Sequence, residues 1–112
     1  MSDHFYPADN RKGLRKLRDL RPNLFKAFLE FDAKVFEEGA LSVKTKELIA
    51  VATAHITQCP WCIDAHARRA RKAGASDAEI GEVIFVSMAL AAGAAWSHGG
   101  LTLQCLDEHQ KM

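Results

Sequence analysis

The residues Glu47 to His66, ELIAVATAHITQCPWCIDAH, constrain the fold more than any other part of the chain. Apolar residues at helical spacing lead up to Cys59, and Pro60 follows it directly. A proline is disfavoured inside a helix but suits the first helical position, where its missing donor costs nothing. The stretch therefore predicts two helices meeting at Cys59. That cysteine stands at the cap, Pro60 and Trp61 lie in the first turn, and Cys62 sits just inside. Four residues on from Cys62 is about one helical turn, so His66 shares its face.

The chemistry of these residues points the same way. A helix N-terminus stabilises a thiolate, and two cysteines three apart can close a disulfide with little backbone movement. An imidazole on the face of Cys62 can accept a thiol proton, directly or through one water. In the preceding helix Glu47, Val51, His55 and Cys59 recur at intervals of four and predict a stripe along one side. If the two helices form a hairpin, Glu47 approaches His66 and fixes its tautomer. The expected relay is Glu47, His66, Cys62, with Cys59 as the second sulfur. His55 and Trp61 are additional candidates.

The pattern of a glutamate, eleven residues, CxxC, three residues and a histidine resembles the AhpD-like alkylhydroperoxidase core of the carboxymuconolactone decarboxylase superfamily. Ile63-Asp64-Ala65-His66, Lys72-Ala73-Gly74-Ala75 and Asp77-Ala78-Glu79-Ile80 extend the likeness, which covers about Leu24 to Leu103. The resemblance implies an all-α fold, a redox-active Cys59–Cys62 pair with Glu47 and His66 as proton relay, and a homo-trimer or homo-hexamer. One position departs: well-studied mycobacterial-type members carry a histidine before the second cysteine, where this chain has Trp61.

Composition sets outer bounds. The 112 residues suit a single domain, and with 48% of them hydrophobic a core is within reach. A chain this short buries a modest share of its surface, so self-association is expected. A net charge of +1 argues against a dedicated nucleic-acid or membrane-surface protein. No leader pattern opens the chain and no uninterrupted apolar run approaches eighteen residues, which predicts a cytoplasmic protein. Three cysteines, two of them in CxxC, suit a reducing compartment better than a disulfide framework.

Taken in order, residues 1–9 read as a tail or as an arm on a neighbouring subunit. A short basic helix with Leu14, Leu17 and Leu20 on its apolar side follows, and Pro22 opens the next. That helix, to about Glu38 and capped by Gly39, carries Leu24, Phe25, Phe28, Leu29, Phe31, Val35 and Phe36, read as a core stripe with pocket lining as the alternative. Ser42 is the expected N-cap of the Glu47 helix, and Gly74 the stop of the CxxC helix. Arg68, Arg69, Arg71 and Lys72 read as a solvated face on its last turn, or else a site for an acidic partner. Ser76-Asp77-Ala78-Glu79 is a capping box. It opens a helix from Ile80 to Ala92 that is apolar nearly all round, and a last helix is expected from about Ala94 to Glu108. Cys105 reads as a small buried apolar residue and His98 as structural.

These features predict a compact bundle of five to six helices built around a CxxC hairpin. The expected function is that of a thiol-dependent peroxidase or disulfide reductase of peroxiredoxin type. It would act on a peroxide and be regenerated by an external dithiol of thioredoxin or lipoyl type, with no cofactor and no resident metal. Three alternatives accompany this. Zinc held by Cys59, Cys62 and His66, with His55 or Glu47 as fourth ligand, lacks the second ligand pair that structural sites usually draw on. The superfamily's decarboxylation does not need a cysteine pair. A non-catalytic redox sensor would oxidise reversibly without turnover.

Overall fold

A computed structural model describes residues 10–110. The described residues form five helices: α1 (Asn10–Leu20), α2 (Pro22–Val35), α3 (Val43–Thr57), α4 (Pro60–Lys72) and α5 (Asp77–Gln110). No strand occurs among the described residues, and the all-α expectation holds. The expected N-terminal tail lies outside the described residues.

The helix ends follow from local chemistry. Pro22 sits in the first turn of α2. The Ser42 hydroxyl accepts from the Thr45 amide and caps α3. At the end of α4, Gly74 takes a φ of +102°. Its amide donates to Arg71 O and the Ala75 amide donates to Ala70 O, the paired bonds of a Schellman stop. Ser76 and Glu79 form the expected reciprocal box: each side chain accepts from the other's amide, at 3.1 and 2.9 Å. Gln58 ends α3 at a φ of +59°. This left-handed residue turns the chain sharply from α3 into α4, with the Cys59 amide donating to Ala54 O.

The α3–α4 hairpin is the most closely packed pair, and the first part of α5 lies against α3. Val51, Ala70 and Ala75 form the centre, surrounded by half-buried Leu48, Ala67, Ile80 and Val83. Ser87 fastens α5 to α3 by donating to Ala52 O at 2.9 Å. Helices α1 and α2 pair with each other.

Several expectations need correction. Helix α2 stops at Val35 with Phe36 as its C-cap, so Gly39 lies in the α2–α3 loop and caps nothing. The two helices expected after Gly74 are one, because Gly93, Gly99 and Gly100 cost helix stability without removing a donor. The phenylalanine stripe of α2 is not core in the single chain: Phe25, Phe28 and Phe31 are exposed, Phe31 at 67%. Cys105 is exposed rather than buried. On α5 the apolar face is open from Phe85 onward, with Trp96 at 85% exposure. This helix is long and apolar enough to cross a membrane by length and composition, properties it shares with core helices of soluble proteins. The radius of gyration, 18.9 Å, exceeds the roughly 13 Å of a compact domain of this length.

The Ser76 amide, and after it Lys44, hold the Glu79 carboxyl below its usual range. Stability from this box is therefore present above the ordinary glutamate pKa and is lost as pH falls through the lowered folded value. Urea midpoints of the wild type and Glu79→Gln should differ at neutral pH and converge in acid. A gap that persists unchanged in acid would contradict this origin.

Candidate functional site

The hairpin brings the predicted residues together. Cys59 is the N-cap of α4, extended at φ −107° and ψ 99°, and Pro60 occupies the first turn. Extended geometry is what the residue before a proline prefers. The Cys59 sulfur accepts the Cys62 amide at 3.3 Å, so a sulfur fills the place a serine or aspartate oxygen takes at most caps. Cys59 and Cys62 form a disulfide across a Cα–Cα distance of 5.2 Å.

Glu47 reaches His66 from the neighbouring helix. The imidazole Nδ1–H donates to Glu47 Oε2 at 2.6 Å. An ionised carboxylate can only accept, so this contact assigns the proton to Nδ1 and leaves Nε2 as the basic nitrogen. The two side chains are 5% and 15% exposed, so the bond is shielded from water on the Glu47 side. The ring of Phe36, from the end of α2, stacks on the imidazole with centroids 5.1 Å apart and planes 21° apart.

Beside this pair a cleft of about 460 Å³ opens between α3, α4 and the α2–α3 loop. Cys62 and His66 line it together with Phe36, Leu41, Ile49, Ala50, Thr53 and Thr57. The wall is largely apolar, with Asp32 and Lys46 as the charged residues that contribute to it. Such a cleft admits an organic group next to one sulfur and one imidazole.

The additional candidates fall elsewhere. His55 turns back on its own helix, with Nδ1–H donating to Val51 O at 2.8 Å, and does not line the cleft. The physical reason is the helical repeat: steps of four overshoot a full turn by about 40° each, so a stripe of fours drifts off the face. The buried face of α3 runs instead through Glu47, Val51 and Ala54. Trp61 is half-buried, with the Arg11 guanidinium 5.8 Å from its ring centroid. His98 lies on the exposed distal part of α5. Arg68 and Arg71 pair with Asp64 and Asp77. Among the described residues no three His, Cys, Asp or Glu side chains form a set that could hold a metal ion. The donors weighed for zinc are otherwise engaged, the two sulfurs with each other and Glu47 with His66.

The pocket-lining alternative for the α2 stripe holds for Val35 and Phe36. The stacking of Phe36 on His66 and the part of Lys46 were not foreseen, because both depend on where the loop between α2 and α3 closes.

A hairpin with a capping cysteine, a second cysteine on a cleft and a Glu-supported histidine defines the architecture of an AhpD-like core. The model of the carboxymuconolactone decarboxylase family matches residues 22–101, and the chain belongs to that family. It is 51% identical over 82 residues, 73% of this chain and 74% of the other, to uncharacterized protein 4 of the cox locus of Paracoccus denitrificans. A carboxymuconolactone decarboxylase family protein of Legionella pneumophila superposes with a TM-score of 0.64 at 35% identity, covering 73% of each chain. One from Thermotoga maritima, put forward as involved in an antioxidative response, gives a TM-score of 0.64 at 29% identity over 93% of this chain and 89% of that one.

Removing the acceptor of a shielded imidazole N–H costs about 1–3 kcal/mol. Glu47→Ala should therefore lower the unfolding free energy from urea titration by about that amount, with a lower midpoint, while leaving the helical circular dichroism intact. An unchanged midpoint would show that the contact carries no net stability.

Proposed function

We propose that the protein is a thiol-dependent peroxidase or disulfide reductase of AhpD-like type, acting through Cys59 and Cys62 with a Glu47–His66 relay. The observation that carries this reading is that Cys62 and His66 open on one apolar cleft, with Glu47 fixing the imidazole from behind and Cys59 within bonding reach of Cys62.

On this reading His66 takes the proton of Cys62, and the thiolate attacks the terminal oxygen of an organic hydroperoxide. The O–O bond breaks, the alkoxide takes the proton back as an alcohol, and Cys62 becomes a sulfenic acid. The Cys59 thiolate displaces hydroxide from that sulfur, giving the disulfide and, with a proton, water. An external dithiol then reduces the disulfide by exchange and is itself oxidised. Cys62 is assigned the attack because it lines the cleft with His66, whereas the Cys59 sulfur is held at the helix cap. The reductant is of thioredoxin or lipoyl type, and the pair works in the cytoplasm, where thiols are kept reduced.

The likeness to the Thermotoga maritima protein put forward for an antioxidative response agrees with this chemistry. The working form is a homo-trimer or homo-hexamer. The open apolar surfaces of α1, α2 and distal α5 supply the area such an assembly buries.

Cys59→Ser and Cys62→Ser should each abolish dithiol-dependent reduction of an alkyl hydroperoxide, followed as loss of the peroxide. Full activity in either variant would sink the reading. Reversible loss of two thiols without turnover in the wild type would make the protein a redox sensor instead.

Light scattering of the purified protein should give three or six times the 12.4 kDa chain mass. A monomer at micromolar concentration would refute the assembly.

A further inference from the structure

The loop between α2 and α3 is fastened at both of its ends. The Lys46 ammonium, from the first turn and a half of α3, donates to Val35 O at 2.8 Å and to Glu37 O at 2.5 Å. These carbonyls flank Phe36, the residue whose ring stacks on His66. In return Glu38 Oε2 accepts the Val43 amide at the start of α3, at 2.9 Å. A cation at the end of α2 satisfies carbonyls that have no partner within the helix and complements its dipole.

Lys46 and Glu47 are consecutive, and each constrains the same imidazole. Glu47 does so directly at Nδ1, and Lys46 does so through the backbone on either side of Phe36. We infer that Lys46 and Phe36 are a coupled pair of positioning residues: the ammonium holds the Phe36 ring against His66, and the ring keeps the imidazole aimed at the cleft that Cys62 lines. The inference rests on the proposed role of His66 as base for Cys62. A hydrogen bond at one nitrogen leaves the imidazole free to swing about that bond. A stacked ring removes the swing, which matters because a displacement of about 1 Å can cost a proton transfer about 100-fold.

The pair is tested in the full-length Cys59→Ser, Cys105→Ser protein, in which Cys62 is the one thiol. Iodoacetamide reads its thiolate without any peroxide, so the result is independent of whether the protein reduces peroxides. Lys46→Met and Phe36→Leu should each slow alkylation at pH 7 by about tenfold and move the rate–pH profile to higher pH. Lys46→Arg and Phe36→Tyr should restore most of the rate. The double variant should be no slower than the slower single one, because both act through one contact.

Singles that alkylate at the parent rate, or a double variant in which the two losses multiply, would overturn the coupling. Circular dichroism and urea midpoints separate a local effect from loss of fold, and the tyrosine variant supplies the comparison if the leucine variant unfolds. Normal coupling in a protein that fails to reduce alkyl hydroperoxides would leave the inference standing and remove the peroxidase reading alone.

Discussion

The hydrogen bond between Glu47 and His66 is the interaction on which the arrangement of the site depends. It joins the two helices of the hairpin at the level of the cleft and does so with a buried carboxylate. Burying a carboxylate is expensive, and well-packed apolar residues in its place are often as stabilising or more so. Its presence is better understood through what it does to the imidazole. It selects the tautomer, fixes the ring edge and leaves the other nitrogen for the cleft. The small cluster around Val51, Ala70 and Ala75 holds the helices at the spacing this bond requires.

Much of this was legible because it is local. The CxxC with its internal proline, the capping box at Ser76 and Glu79, and the serine before α3 are signals a few residues long, and each formed where its chemistry places it. The meeting of Glu47 and His66 was also readable, since a hairpin at Cys59 folds one helix back along the other. What escaped was tertiary. Phe36 belongs, by pattern, to an apolar stripe on α2, and only closure of the loop carries it away from that stripe onto the imidazole. His55 was misplaced for a geometric reason, because a repeat of four slips around a helix of 3.6 residues per turn.

The remaining difference concerns α5. Two helices were expected here, one to Ala92 and one from about Ala94, yet the backbone ladder is continuous from Asp77 to Gln110. Glycine weakens a helix by enlarging the freedom of the unfolded chain, and it breaks no hydrogen bond. A helix of 34 residues with apolar side chains on nearly every face has too little of its own chain to cover it. The same holds for the leucines of α1 and the phenylalanines of α2. These surfaces are apolar by composition and exposed in the single chain, and on the proposed assembly neighbouring subunits cover them. That is why a core stripe could be read from the sequence while the chain alone leaves it open.

The two sulfurs occupy unlike places, and this asymmetry gives the site a direction. At the helix cap, the Cys59 sulfur faces the amide of Cys62 and the positive end of the α4 dipole. On the first turn, Cys62 lines the cleft together with His66. The dipole stabilises the capping thiolate at rest without any base, whereas a thiol at the cleft needs one. On the proposed reading the base therefore belongs beside the sulfur that meets substrate. The capping sulfur then stands within bonding reach to resolve the sulfenic acid. A proline between them makes this division possible, since it opens α4 between the two sulfurs.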